Sequence, residues 1–193
     1  MSLARVRAFA AALLTLGALS LPAAAVEQGD KAPDFTAPGL TGGTISLAAY
    51  RGKVVYLDFW ASWCGPCAQA LPALDQLRKE FPPGDFQVVA VNVDREAKSA
   101  KAFLNKRPIG YPSALDPHGA IPAQFGVEVM PTSFLIDRDG TVRHVQRGFR
   151  KDDVESLRKQ IQQLVARKPA QKQAPAKAQP PAKAQPTAKR AAR

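Results

Sequence analysis

The chain has 193 residues, with 27 basic and 16 acidic side chains and a formal net charge of +11. Two of the bases precede residue 26 and eight follow residue 166, so the span between them holds 17 bases against 16 acids, a net of +1. The basic balance is therefore no argument for a nucleic-acid groove, and two cysteines with two widely spaced histidines are too few for a structural zinc site of four ligands.

In chain order, residues 1–25 read as a secretory signal. Arg5 and Arg7 form a basic start, residues 8–21 are an uncharged apolar run, and Ala23 and Ala25 offer a small-residue cleavage site before Val26. The apolar run is short for a membrane span, and the alternative is an uncleaved N-terminal anchor. Either way the rest of the chain is expected outside the cytoplasm. In a bacterium that is the periplasm or cell surface, where disulfides persist. Residues 26–166 suffice for one domain with a sizeable core.

"GDKAPDFTAPGLTGGTISLAAYRGK" predicts an extended segment with one hairpin, turning at "GLTGGT" and followed by the short strand "TISL". "KVVYLDFWA" is a nearly continuous apolar run and predicts a central strand buried on both faces. "CGPCAQALPALDQLRKEF" predicts a helix, with Leu71, Leu74, Leu77 and Phe81 at helical spacing and a kink at Pro72. "FQVVAVNVD" predicts a second buried strand, "REAKSAKAFLNKR" an amphipathic helix and "YPSALD" a short strand. "HGAIPAQFGV" reads as a short helix or turn. "TSFLID" and "TVRHVQRGF" read as a hairpin joined at "RDG". "KDDVESLRKQIQQLVARK" closes the domain as a helix, capped by Asp152 or Asp153, with Val154, Leu157, Ile161, Leu164 and Val165 as its apolar stripe. This order predicts an α/β fold with a mixed sheet between helices.

Residues 167–193 contain no acid, no aromatic and no large aliphatic residue, and repeat "PAKAQP" at 175–180 and 181–186. Such a segment cannot bury enough apolar area to offset its ordering entropy and is predicted to be a disordered basic tail. Its charge would favour an anionic envelope surface; the plainer reading is a solvated tether.

The chemistry centres on Cys64 and Cys67, the only cysteines. At a strand-to-helix junction, residues i and i+3 bring their Cα atoms within disulfide range, roughly 5–6 Å. Unpaired N–H groups and the helix dipole there stabilise a thiolate. Cys64 is expected to be the more exposed and the nucleophile. Cys67, deeper, is expected to resolve the mixed disulfide. A ring this small removes little unfolded-state entropy, which argues against a purely structural staple. Copper binding by the pair would need His118 or His144 brought close. Further on, "EVMPTSF" sets Met130, Pro131 and Thr132 before a strand, where either a cis or a trans proline fits.

These residues together resemble the exported TlpA/ResA-type members of the thioredoxin superfamily, over about Gly29 to Val165. The motifs carrying the resemblance are "APDF", "RGKVVYLDFWASWCGPC", "VVAVNVD" and "MPTSFLIDRDGTVRHVQRGF". The resemblance implies a thioredoxin fold: a central mixed β-sheet flanked by helices, an N-terminal β extension and an inserted strand-helix unit. It implies thiol-disulfide exchange, with Cys64 attacking, Cys67 resolving and a reversible Cys64–Cys67 disulfide. Pro131 would be cis, packed against the disulfide, with Met130 pairing to a substrate chain. Trp63, Gly65, Pro66 and Thr132 would complete the substrate-binding surface. Asp58 aligns with the buried acid that moves the proton of the resolving cysteine.

Two positions depart from the pattern. Ala70 stands where exported relatives often carry a Glu, and Ala90 where cytoplasmic thioredoxins often carry a Lys. Asp58 would then be the sole acid under the site, with its pKa raised by desolvation; the alternative is a strand residue hydrogen-bonded elsewhere. The expected enzyme is an exported, monomeric protein-disulfide reductase. It needs no cofactor or metal and binds no nucleic acid. A membrane thiol reductase would recharge it, and apocytochrome c cysteines are one target class. The rivals are a peroxidase, from the "APDF" and "RGK" stretches shared with peroxiredoxins, and a Cu(I)-binding protein.

Overall fold

The computed structural model describes residues 25–167. Residues 1–24 and 168–193, which hold nearly all of the predicted signal and tail, lie outside the described residues.

A five-stranded sheet runs through the domain. β3 (Val54–Trp60) occupies its centre. On one side it pairs in parallel with β4 (Phe86–Asn92), which pairs in parallel with the short β5 (Ser113–Leu115). On the other it pairs antiparallel with β6 (Thr132–Ile136), which turns back into β7 (Val142–Arg147). The order is β5-β4-β3-β6-β7, the mixed sheet that the sequence predicted. The N-terminal hairpin also forms, as β1 (Thr36–Pro38) and β2 (Thr44–Ser46). Its turn uses Gly42 and Gly43 at φ 97° and 71°, a left-handed region that other residues enter only with strain. A 3-10 turn at Leu47–Tyr50 follows.

Four helices cover the sheet: α1 (Cys67–Lys79), α2 (Ala97–Lys106), α3 (Ala120–Phe125) and α4 (Asp153–Ala166). Two apolar layers result. Tyr56 and Trp60 of β3 point to the side where α1 and α4 supply Leu71, Leu74, Leu157 and Ile161. Val55, Leu57 and Phe59 point to the opposite side, onto the hairpin and α3. Phe59, Phe125 and Phe134 meet there with ring centroids 5.0–6.0 Å apart. A strand alternates its side chains, so a strand covered on both faces must be apolar throughout. All seven residues of β3 are buried, and only Asp58 breaks the apolar rule.

Two local expectations need correction. The first concerns α1, which starts at Cys67 rather than near Cys64. Pro66 stands at the cap position with helical backbone angles, and its carbonyl takes the first helical bond, from Ala70. The second concerns the start of α4. Asp152 holds the cap position but makes no side-chain cap bond; the Asp153 carboxylate instead accepts from the Arg150 N–H at 3.0 Å.

Candidate active site

β3 ends at Trp60, and the chain turns through Ala61, Ser62 and Trp63 into the cysteine pair. The turn is held from β4. The Asp94 carboxylate, 3% exposed, accepts from the Ser62 N–H at 3.0 Å, the Ser62 hydroxyl at 2.9 Å and the Asn92 amide at 2.8 Å. The Val93 N–H donates to the Trp60 carbonyl. Trp63 is left 70% exposed beside the cysteines, and Gly65 and Pro66 are exposed as well.

Cys64 and Cys67 form a disulfide with Cα atoms 5.3 Å apart, inside the range that the i, i+3 spacing predicted. Cys64 is 5% exposed and Cys67 fully buried, in the expected order. The Cys67 N–H donates to the Cys64 sulfur at 3.3 Å. The sulfur therefore sits against a helix-start amide that has no backbone acceptor, which favours the thiolate once the disulfide opens.

The second strand of the site is β6. The Met130–Pro131 bond is cis, with Pro131 buried and Met130 half-buried. Thr132 pairs with Phe59, so Pro131 lies at the same end of the sheet as the turn into Cys64. The Thr132 hydroxyl donates to the Val129 carbonyl at 2.8 Å, and the Gly148 N–H donates to the Pro131 carbonyl at 2.7 Å. The prolyl loop is thus tied at both ends. Val129, 52% exposed, and Trp63 are the exposed large hydrophobics among the described residues, and they belong to the two loops of this site.

Two residues before the end of β3 stands Asp58, fully buried. By alternation it shares the α1/α4 side of β3 with Tyr56 and Trp60, the side that also holds both cysteines. Its neighbours across the sheet are Ala90 on β4 and Ser133 on β6. The Ser133 hydroxyl donates to Oδ1 at 2.7 Å, while Oδ2 has no partner. Burial pushes this carboxyl up from 3.8 to about 7, and the Ser133 bond offsets part of the rise. Ala70, on α1, is also buried and brings no charge.

The sequence reading named Asp58 as the acid of the site and named neither Ser133 nor Asp94. Both carried a faint signal. Ser133 is a polar residue inside the apolar strand "TSFLI", two positions after Pro131, and Asp94 ends "NVD" directly after a buried strand. His118 lines a recess beside α3, and the His144 ring bonds to Gln146 on β7. Among the described residues no three His, Cys, Asp or Glu side chains gather as a metal site.

The Redoxin family matches residues 27–161. The chain belongs to the Redoxin family. A thiol-disulfide oxidoreductase ResA from Bacillus thuringiensis subsp. konkukian is 34% identical over 137 residues, which span 70% of this chain and 79% of the relative. Among solved structures, a candidate thiol:disulfide interchange protein DsbE from Chlorobium tepidum is 48% identical, with a TM-score of 0.70 over 73% of this chain and 99% of that one. The exposed lipoprotein thioredoxin Etrx1 of Streptococcus pneumoniae is 32% identical, with a TM-score of 0.56 over 68% of this chain and 100% of its own. This Redoxin chain has the thioredoxin fold and is a thiol-disulfide oxidoreductase of ResA/DsbE type, with Cys64 and Cys67 as its CxxC pair.

Proposed function

We propose that this enzyme is exported and reduces disulfides in other proteins. Cys64 thiolate attacks one sulfur of the target disulfide. The second target sulfur leaves as a thiolate and takes a proton from water. The Cys67 thiol then passes its proton to Asp58, and the resulting thiolate attacks the Cys64 sulfur. The mixed disulfide breaks, the remaining target sulfur leaves, and the enzyme is oxidised by the two electrons the target has gained. Trp63, Gly65, Pro66, Met130 and Thr132 form the surface that receives the target chain, with Pro131 at its centre.

The observation that carries this reading is the pairing of a near-surface sulfur, supplied with an amide donor, with a buried one on the face of β3 that also carries an unpaired carboxylate oxygen. A buried carboxyl that loses its proton near neutral pH can accept one from a thiol without holding a permanent charge in the core. Peroxiredoxin-type chains lack a resolving cysteine three residues after the attacking one, so Cys67 counts against a peroxidase.

Export is supported by the signal pattern of residues 1–25. Among the described residues no helix is long and apolar enough to cross a membrane. In an oxidising compartment the reduced enzyme must be restored, which calls for a membrane thiol reductase as electron donor. Apocytochrome c thiol pairs are one class of target. The eight basic residues of 167–193 would hold the enzyme near an anionic envelope surface.

The test is a Cys67→Ser variant expressed in a host envelope, together with insulin reduction by the wild type. The variant should retain targets on Cys64 as mixed disulfides that mass spectrometry identifies. Neither captured proteins nor insulin turnover would mean that protein disulfides are not the substrate.

A further inference from the structure

Asp58 is sealed from solvent, and the proton it takes from Cys67 needs a way out. The route past the cysteines is a poor one. Cys67 is fully buried, Cys64 is 5% exposed, and a bound target chain would cover both. The opposite direction along the same face of β3 is different.

Ser133 bonds to Asp58, and the strand register sets it diagonally across the same face from Tyr56, which lies two residues before Asp58 on β3 and pairs with Leu135, two residues after Ser133. Tyr56 in turn lines a recess of about 90 Å³ between β7 and α4, with His144, Gln146, Asp153 and Leu157. A water needs roughly 10–15 Å³ by this measure, so the recess has room for several. Its polar wall is organised: the Gln146 amide donates to Asp153 at 3.1 Å, and the His144 ring bonds to Gln146 at 3.2 Å.

We infer that Ser133 and Tyr56 form a proton path from Asp58 to solvent at the recess between β7 and α4, on a side of the domain that a docked target leaves free. This rests on the role given to Asp58 above. In the outward direction the Asp58 O–H bond breaks as a new Ser133 O–H bond forms. The original Ser133 proton moves to the Tyr56 oxygen, and the Tyr56 proton passes to water in the recess. In the inward direction each transfer reverses, and Asp58 is reprotonated before it returns a proton to Cys67 during recharging. No electron moves, and neither hydroxyl keeps a charge. That suits the site: burial first, then the Asp58 carboxylate, raise the Tyr56 phenol, and Asp153 on α4 adds to this, so a tyrosinate is disfavoured. Tyr111 also feels Asp58, but its hydroxyl is engaged with the Leu71 carbonyl at 3.1 Å. Ser133 and Tyr56 are positioning residues that act through Asp58.

The experiment follows single-turnover reduction of a disulfide-bonded protein by the full-length reduced enzyme, in H2O and D2O, at pH 6 to 8. Tyr56→Phe keeps the ring and removes the hydroxyl; Ser133→Ala removes the other link. Each should slow the Cys67-dependent step by about tenfold, a part of the roughly 10²-fold that general base catalysis supplies. The solvent isotope effect should change in both variants, and Ser133→Thr, which keeps a hydroxyl, should recover most of the rate. The reduction potential of Tyr56→Phe should match the wild type. Wild-type rates in both hydroxyl variants, with Asp58→Asn slow, would overturn the path and leave the role of Asp58 intact. A wild-type rate in Asp58→Asn would remove that role and the path with it.

Discussion

Replacing Asp58 with Asn should change how stability depends on pH, and the size can be worked out. In the folded protein burial raises the carboxyl from 3.8 to about 7. Between pH 4 and 7 the native state then holds a proton that the unfolded chain has released. Stability falls with rising pH wherever the native state binds more protons, so the wild type should weaken across this window and level off above it. A shift of about three units corresponds to about 4 kcal/mol. Asn neither titrates nor leaves a charge in the core. The stability of Asp58→Asn relative to wild type should therefore rise by about 4 kcal/mol between pH 4 and pH 8. Equilibrium unfolding in guanidinium chloride, with the disulfide intact, reads this at several pH values. Taking the difference between the two proteins cancels groups that titrate alike in both, and any constant effect of the amide. A difference that stays flat within about 1 kcal/mol over that range would refute a carboxyl titrating near neutrality.

Three further outcomes are expected. Trp63→Ala should raise KM for a protein disulfide and leave kcat and folding stability nearly unchanged, because the ring is 70% exposed and packs little within the domain. Asp94→Ala should destabilise by about 2–3 kcal/mol in denaturant titration, since it strands the part-buried donors of Ser62 and the buried amide of Asn92. Unchanged stability would show that the turn before Cys64 is held in another way. Removing residues 168–193 should abolish binding to anionic lipid vesicles at low salt while insulin reduction continues at the full rate. Equal vesicle binding by the truncated enzyme would place the affinity elsewhere.

Much of the domain was legible because its signals are local. The run "KVVYLDFWA" can only be a strand covered on both faces, and two cysteines three apart at a helix start can form a small reversible ring. Turn chemistry marked both hairpins, and the 3.6-residue stripe of Leu157, Ile161 and Leu164 marked α4. The exact helix start was not legible. It depends on which carbonyl first finds a partner, and Pro66 suits either side of that boundary.

The sequence by itself determined the reactive pair, the central strand and the anomaly of an acid within it. The meaning of that acid was decided only by strand pairing. Register sets Asp58 between Ala90 and Ser133, so it receives one hydroxyl bond, no cation, and an oxygen with no partner. The contact with Ser133 joins residues 75 apart in the chain. No local pattern reports such a contact, because it arises from the order in which β3, β4 and β6 assemble and from nothing nearer in sequence.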